Sequence, residues 1–174
     1  MKKINILLSV ALGAIVAFTS CKKDDGAIPN RVTTEKVPAI STAKDVANDT
    51  IRVATQATFT AKFTVSNYFA GMVPTKIDIA VRKNNTATAV NNNNVKVYKA
   101  NAATAYPTQF TFTGAELVAL FGANGVNNDY YDFGVDIYYG DKKYEAFPAG
   151  VSGTGAGVAQ MPLFSETARY YVKN

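Results

Sequence analysis

Hydrophobic and polar residues alternate along much of the chain that follows residue 49. Three segments show this most clearly, at 59–66, 76–82 and 132–139, where every second residue is apolar. Successive side chains of a β-strand point to opposite faces of a sheet, so this spacing predicts strands with one buried face. In the last segment the apolar residues face one way, and Asp132 and Asp136 face the other.

Shorter apolar stretches predict the remaining strands, at 51–53, 95–100, 109–112, 143–147 and 169–172. Segment 37–42 is a further candidate, because the proline within it is tolerated on an edge strand. Gly140 and Asp141 form a two-residue hairpin signal. The asparagine-rich stretch between Arg82 and Val95 predicts a hairpin tip, since asparagine tolerates left-handed backbone and favours turns.

One short helix is predicted between two strands. Thr113 and Glu116 have the spacing of a capping box, in which each side chain accepts a hydrogen bond from the other residue's backbone. Leu117 and Phe121 follow at helical spacing, and Gly122 can end the helix. About seven short strands with one short helix, and no regular alternation of strands and helices, predict an all-β fold, an antiparallel β-sandwich.

The N-terminal segment has the pattern of a secretory signal. Two lysines precede an apolar run at 4–18, which is shorter than the ~20 residues that a membrane-spanning helix needs. The stretch 18–21, Phe-Thr-Ser-Cys, resembles the lipobox of bacterial lipoproteins, which usually has leucine in place of this phenylalanine. Residues 1–20 are therefore predicted to be a lipoprotein signal peptide, with Cys21 as the acylated first residue of the mature chain. The alternatives are a simple signal peptide that leaves a free thiol, and an uncleaved membrane anchor.

Two short motifs after the cysteine bear on surface exposure. Lys23, Asp24 and Asp25 resemble the surface-export signal of Bacteroidota lipoproteins, and the alternative is the charged, solvated start of a linker. Thr50, within Asp-Thr-Ile, resembles an O-glycosylation site of such bacteria, and the alternative is an ordinary strand threonine.

Composition limits the number of domains and the available chemistry. Segment 21–48, with two prolines and scattered charges, is predicted to be a flexible tether, and 49–174 is predicted to be one folded domain. The chain has no histidine, which excludes histidine-dependent catalytic triads and histidine-ligated zinc, and no cofactor is predicted. Its net charge of +5 comes from dispersed basic residues without a dense basic stripe, so nucleic-acid binding is not predicted.

Polar side chains near the segment 132–139 raise two kinds of chemistry. Five residues with side-chain oxygens are close enough in sequence to bind calcium: Asn124, Asn127, Asn128, Asp129 and Asp132. Their spacing is not that of an EF-hand. The alternative is that these residues form turns. Asp132, Asp136 and Glu145 could meet across the hairpin as the two acids that glycoside hydrolysis needs. Acids at such positions more commonly lie on the solvated face of a sheet, so neither a metal site nor catalysis is predicted. The glycine-rich stretch 150–157 lacks the lysine of a P-loop and is interpreted as a mobile loop.

Tyrosines suggest a binding surface. The chain has no tryptophan but 10 tyrosines, each of which offers a ring with a polar tip. Alternation places Tyr138 on the outward face of its strand, and Tyr130 or Tyr144 could join it in a patch for stacking or protein contact. The alternative is that these tyrosines only border the core.

Three stretches, 110–117, 129–137 and 140–144, resemble the immunoglobulin-like domains of Bacteroidota outer-membrane lipoproteins. The accessory lipoproteins of starch-utilisation-type glycan systems are the nearest comparison. The resemblance implies an immunoglobulin-like sandwich, lipid-anchored in the outer membrane and exposed at the cell surface. Those proteins continue with carbohydrate-binding modules, so their sugar-binding residues are not carried over to this chain.

The resemblance also implies a function. The first hypothesis is a non-catalytic binding or scaffold module that takes part in glycan capture, with a glycan or an outer-membrane protein as its partner. The second is a structural or adhesion subunit of the fimbrial type. The third is a small hydrolase that uses Asp136 and Glu145.

Overall fold

The alternating segments form β-strands, as predicted. The computed structural model describes residues 36–150 and 164–174. Nine strands lie in these ranges: β1 Ile40–Lys44, β2 Thr50–Arg52, β3 Thr60–Asn67, β4 Lys76–Asn85, β5 Val95–Ala103, β6 Thr108–Thr113, β7 Asp129–Tyr139, β8 Lys142–Tyr144 and β9 Ala168–Lys173. One α-helix, α1 Gly114–Phe121, and two short 3₁₀ turns, Val46–Asn48 and Val53–Thr58, complete the described elements.

The strands form two sheets. Sheet 1 has the order β1-β3-β6, and sheet 2 has the order β2-β9-β7-β4-β5, with β8 paired to β7. β4 and β7 form the long antiparallel centre of sheet 2. The short strand β2 pairs with β9 in parallel, which differs from the purely antiparallel arrangement predicted. The reason is that the turn Val46–Asn48 carries the chain from β1 in sheet 1 to the outer edge of sheet 2.

The inner faces of the two sheets enclose a common core. Sheet 1 contributes Phe63 and Phe112, and sheet 2 contributes Phe133 and Tyr170. The ring centroid of Phe133 lies 4.4 Å from that of Phe112 and 4.8 Å from that of Phe63. Ring pairs at such distances contribute about 0.5–1.5 kcal/mol beyond the burial of their area. The sheets therefore face each other in a sandwich-like arrangement, and the predicted all-β fold with one short helix is confirmed.

The capping box that predicted the helix is present at its N-terminus. The Oγ1 of Thr113 accepts a hydrogen bond from the Glu116 N–H at 3.2 Å, and Glu116 Oε2 accepts one from the Thr113 N–H at 2.7 Å. Gly122 ends the helix with a φ of 73°, a left-handed conformation that glycine adopts easily. Leu117 is fully buried and ties α1 to the core.

The folded unit begins earlier than predicted. The described residues from Val37 onward form one compact unit, so β1 belongs to the domain, as the candidate edge strand at 37–42 predicted, and the predicted tether 21–48 is too long. Thr42 of β1 is fully buried, and its N–H donates to the Ser165 carbonyl at 2.6 Å. This contact, together with the pairing of β1 with β3, fixes the strand at the edge of sheet 1.

Candidate functional site

One end of the sandwich gathers aromatic side chains. Three connections meet there: 68–75 between β3 and β4, 104–107 between β5 and β6, and the turn between β7 and β8. The register pairs that bring them together are Lys76↔Tyr138, Ile77↔Ala103 and Val65↔Thr108. The aromatic residues of this region, which we call the aromatic end, are Tyr68, Phe69, Tyr106, Tyr138, Tyr139, Tyr144 and Phe164.

Tyr138 is held firmly at the aromatic end. Its hydroxyl donates a hydrogen bond to Asp78 Oδ2 at 2.9 Å. Lys76 Nζ lies 4.0 Å from the centroid of its ring, which is within the range of a cation–π contact. The hydrogen bond to Asp78 raises the pKa of Tyr138, so the phenol keeps its proton at neutral pH. Tyr138 is thus an oriented, partly exposed ring on the outer face of sheet 2.

The other two predicted tyrosines do not share a surface with Tyr138. Tyr144 pairs with Ile137, whereas Tyr138 pairs with Lys143, so Tyr144 and Tyr138 lie on opposite faces of the sheet. Tyr130 is at the other end of β7, about 26 Å away at a rise of about 3.3 Å per residue, and it is 2% exposed. The predicted patch is therefore not formed, and of the three tyrosines only Tyr138 is a partly exposed ring on the outer face of sheet 2.

A cleft of about 410 Å³ opens at the aromatic end, and we call it the end cleft. Its lining comes from the end of β3 and from the two connections 68–75 and 104–107: Ser66, Asn67, Ala70, Val73, Thr104, Tyr106 and Pro107. A second cleft, of about 340 Å³, lies between β5, β6 and α1 and is lined by Tyr98, Lys99, Gln109, Phe110, Thr111 and Glu116. The two differ in charge, because only the second has an ionisable cation and a carboxylate in its lining.

The acids considered for hydrolysis are already paired. Lys143 Nζ lies 2.8 Å from Asp136 Oδ2 and 3.0 Å from Glu145 Oε1. Burial alone would lower the pKa of Lys143, but hydrogen bonds to these two carboxylates raise it above the ordinary lysine value. The charged lysine therefore bridges the two acids. Asp132 comes before Asp136 in β7 and pairs with Arg82 instead of Lys143, so the three acids do not meet in one group.

A buried ionic cluster on the outer face of sheet 2 was not anticipated from the sequence. Asp132 is fully buried. It accepts hydrogen bonds from Arg82 Nη2 at 2.6 Å, and from Arg169 Nε at 2.7 Å and Nη2 at 2.9 Å. Each arginine also lies over a ring, Arg82 over Phe147 at 4.5 Å and Arg169 over Tyr130 at 4.1 Å. We call Arg82, Asp132 and Arg169 the ionic cluster.

Two chain segments cover this part of the outer face. Asn92 Oδ1 accepts a hydrogen bond from Arg82 Nη1 at 2.7 Å, and Asn92 Nδ2 donates to the Pro148 carbonyl at 2.7 Å. The asparagine-rich hairpin tip therefore folds back onto the sheet. Phe147 packs against Gly134, where an added Cβ would lie 2.9 Å from the ring. The expectation of a solvated face for Asp132 and Asp136 is wrong, because these covering segments exclude water.

The residues considered for calcium do not form one site. Asp129 accepts hydrogen bonds from the Val126 N–H at 2.9 Å and from Asn85 Nδ2 at 2.8 Å, and Lys83 Nζ lies 3.1 Å from its Oδ2. These contacts close a turn before β7. Within residues 36–150 and 164–174, no group of three or more acidic, cysteine or histidine ligands is placed to hold a metal ion.

Several predicted sites lie outside the described residues: Cys21, Lys23, Asp24, Asp25 and all but the first residue of the stretch 150–157. Thr50 is described and lies partly buried in β2, at the edge of sheet 2. Its Oγ1 donates a hydrogen bond to Asp49 Oδ1 at 3.0 Å. A sugar on Thr50 would therefore have to replace this hydrogen bond.

No known protein family, curated protein or solved structure matches this chain. In the part of the chain that the structure describes, no helix combines the length and the apolar character needed to cross a membrane. The function must therefore be inferred from the residues themselves.

Proposed function

We propose that this protein is a non-catalytic, surface-anchored lipoprotein whose immunoglobulin-like sandwich binds glycans. The observation that carries this proposal is the aromatic end, where tyrosine and phenylalanine rings pack against one another near a cleft whose described lining includes Tyr106 and no charged residue. Tyrosine suits such a role because its ring packs against apolar surface while its hydroxyl forms hydrogen bonds. The pairing of Asp136 and Glu145 with Lys143 supports the non-catalytic part of the proposal.

The strand order supports an immunoglobulin-like topology. In variable-type immunoglobulin domains one sheet contains strands A, B and E, and the other contains G, F, C and C′. The order β1-β3-β6 corresponds to A-B-E, and β9-β7-β4-β5 corresponds to G-F-C-C′. Tyr131, near the start of β7, packs against the upstream Gly125, where an added Cβ would lie 3.0 Å from the tyrosine hydroxyl. The hallmark tyrosine of such domains hydrogen-bonds to upstream backbone, and among the described residues the Tyr131 hydroxyl makes no hydrogen bond of this kind, so the strand order alone carries the correspondence.

The same correspondence favours the aromatic end as the binding end. In variable domains the B–C and F–G connections lie at one end of the sandwich and form much of the ligand-binding surface. The connection 68–75 corresponds to B–C, and the connection that leaves β7 corresponds to F–G. Loops on a rigid sandwich are common places for binding residues, because the scaffold fixes their positions.

Binding at the aromatic end can be tested with the full chain and two tyrosine variants. Affinity electrophoresis through gels that contain polysaccharides should retard the wild type. Tyr138→Ala should weaken retention roughly tenfold, since truncation of a central contact often costs more than 1 kcal/mol. Tyr171→Ala is the matched control, because Tyr171 pairs with Tyr130 at the opposite end of β7. Equal retention of the wild type and Tyr138→Ala would contradict a role for Tyr138 in glycan binding.

The anchor part of the proposal depends on Cys21. Two or more acyl chains hold a protein on a bilayer, where one chain is marginal. Cys21→Ala should therefore abolish labelling by a radioactive fatty acid and move the protein from the membrane fraction to the soluble fraction. Ser20→Ala, which leaves the cysteine in place, is the control. Unchanged labelling and unchanged fractionation of Cys21→Ala would overturn the lipoprotein assignment.

One observation favours a structural or adhesion subunit as a second candidate. Among the described strands, β1, β2, β5 and β6 end the two sheets and each have one edge without a strand partner, and such edges can pair with a strand from another chain. A subunit of this kind should form ladders on unheated gels without added sugar. A single monomer band under those conditions would remove this candidate.

A further inference from the structure

We propose that the connection 68–75, which we call the tip loop, rests in the interface of the lipid bilayer that carries the anchor. This inference rests on the acylation of Cys21 in the proposed function. It goes beyond that function because it gives the folded domain an orientation on the membrane, with the aromatic end towards the lipid.

The chain enters the folded domain beside the tip loop. The Ala39 carbonyl accepts a hydrogen bond from the Tyr68 N–H at 2.8 Å. The next residue, Ile40, pairs with Asn67 at the end of β3. The segment that leads from the acylated cysteine therefore reaches the sandwich at its aromatic end.

The distance that this segment can span favours the same orientation. Residues 22–35 separate Cys21 from Lys36, and a chain extends at most about 3.5 Å per residue, so Lys36 lies within about 50 Å of the anchor. β7 runs along the sandwich for about 33 Å at a rise of about 3.3 Å per residue. A domain standing on its opposite end would require residues 22–35 to run back along this length, which is well over half of their reach.

The tip loop has an apolar apex and no charged residue. Its sequence is Tyr-Phe-Ala-Gly-Met-Val-Pro-Thr. Ala70 and Val73 are exposed, Val73 to 50%, and Met72 is half-buried. Apolar side chains gain free energy when they enter the boundary between headgroups and acyl chains, and tyrosine is enriched at this depth. The composition of the loop therefore suits a bilayer interface.

Contacts at both ends of the tip loop fix the position of its apex. The ring of Tyr68 packs edge-on against that of Phe164, with their centroids 5.3 Å apart. The Thr75 N–H donates a hydrogen bond to the Tyr138 carbonyl at 2.8 Å. Because the loop is already ordered, contact with lipid would not require a further loss of conformational entropy.

The opposite end of the sandwich suits a bilayer less well. It also exposes valines, Val46 to 80%, Val126 to 58% and Val53 to 37%. Charged residues adjoin two of them, since Asp45 precedes Val46 and Arg52 precedes Val53. Moving charged side chains out of water is costly, so this end should stay in solvent.

Basic residues flank the tip loop outside its apex. Lys36, which is exposed, lies just before β1, and Lys76 begins β4 directly after the loop. Cations at such positions can meet lipid phosphates while the apex lies deeper. The exposed acid Asp141 lies in the turn after β7. Tyr138, on the outer face of sheet 2, would meet a glycan at the level of the lipid headgroups.

Tryptophan fluorescence can locate the tip loop, because the chain has no tryptophan of its own. The full chain, acylated in cells and purified in detergent, is reconstituted into vesicles of phosphatidylethanolamine and phosphatidylglycerol, with or without bromine on the acyl chains. Val73→Trp and Ala70→Trp each place one reporter at an exposed position of the apex. Val126→Trp is the matched control, because it replaces an exposed valine at the opposite end.

The reporters in Val73→Trp and Ala70→Trp should emit at shorter wavelength in vesicles and lose most of their emission to brominated lipid. The reporter in Val126→Trp should keep its emission. Adding Val73→Asp to Ala70→Trp places a charge at the apex and should restore most of the lost emission. Circular dichroism of each variant checks that the sandwich is folded.

The outcomes separate this inference from the proposed function. Quenching confined to the two apex reporters, and relieved by Val73→Asp, supports contact of the tip loop with lipid. Equal quenching at both ends, quenching of Val126→Trp alone, no quenching, or quenching that Val73→Asp leaves unchanged overturns the inference. Glycan binding, which Tyr138→Ala tests, would then still stand. Mass spectrometry that finds no acyl group on Cys21 would overturn both the anchor and this inference.

Discussion

Asp132 should be among the least replaceable charged residues of the domain. Asparagine at this position would keep the shape of the side chain but remove the charge that Arg82 and Arg169 share. It would also turn an accepting oxygen into an NH₂ group that faces arginine N–H groups. Arg82 is 2% exposed, so water cannot replace the partner it would lose.

The size of the effect follows from burial. Removing one member of a buried ion pair costs about 3–5 kcal/mol. Arg169 is partly exposed and can regain hydration, so we expect about 3–4 kcal/mol for Asp132→Asn. For a domain of this size 1 kcal/mol changes Tm by about 3–5 °C, which gives a decrease of about 9–20 °C.

Urea unfolding followed by circular dichroism measures this free energy directly. The matched control is Asp49→Asn, because Asp49 pairs with Lys44 in a more exposed ion pair that should contribute less than about 1 kcal/mol. The triple variant Arg82→Met, Asp132→Leu, Arg169→Met should recover much of the loss, since packed apolar residues can replace buried ion pairs. A decrease for Asp132→Asn no larger than that for Asp49→Asn would refute this reasoning.

Two further predictions concern α1. Gly114→Ala would place a Cβ 1.8 Å from the Gln56 carbonyl oxygen, so the free energy of unfolding should fall by about 1–3 kcal/mol. Gly71→Ala is the control, because the space around Gly71 is open, and it should show no such loss. Equal free energies of unfolding for the two variants would contradict the packing of Gly114 against Gln56. Burial alone would raise the pKa of Glu116, but hydrogen bonds from Thr113 and from the Tyr98 hydroxyl lower it below 4.5. The stabilisation from the ionised Glu116 carboxylate is complete at pH values above the pKa that Glu116 has in the unfolded chain. It is lost as pH falls through the lower pKa that Glu116 has in the folded protein. The difference in unfolding free energy between wild type and Glu116→Gln should therefore shrink from about pH 5 to pH 3, and a difference that grows over this interval would contradict the capping role.

The sequence predicted those strands and helices that are determined by residues close together in the chain. Phe63 and Val65 alternate with polar residues, and this alone identified β3 and its buried face. Thr113, Glu116 and Gly122 identified both ends of α1, because capping depends on residues that are close in sequence. In these elements the side-chain pattern and the tertiary packing agree.

The outer face of sheet 2 could not be predicted in this way. Alternating charge along β4 and β7 is the usual pattern of a solvated face, yet Arg82 and Asp132 are buried together. Their burial depends on distant segments, since Asn92 and Phe147 fold over them. The strand β4 also continues through Asn84, which composition had assigned to a loop, because Asn84 pairs with β7.

The end cleft could not be predicted from the sequence, because it also depends on contacts between distant segments. Asn67 is the last residue of β3, Tyr106 lies in the connection 104–107, and the two match no motif. They come together because Val65 pairs with Thr108, which places the end of β3 beside the connection 104–107. The available signal was that a polar residue, Asn67, continues the apolar row of β3. Without the strand register, the sequence could not show which segment lies beside it.

The central claim, that the aromatic end binds uncharged glycan, is tested most directly by nuclear magnetic resonance of the full chain in detergent micelles during titration with neutral hexasaccharides of glucose, mannose and xylose. The account predicts that at least one of these sugars shifts the signals of Asn67, Tyr106 and Tyr138 while those of Tyr171 stay in place. Saturable shifts confined to other parts of the sandwich, or no shift with any of the sugars, would contradict it.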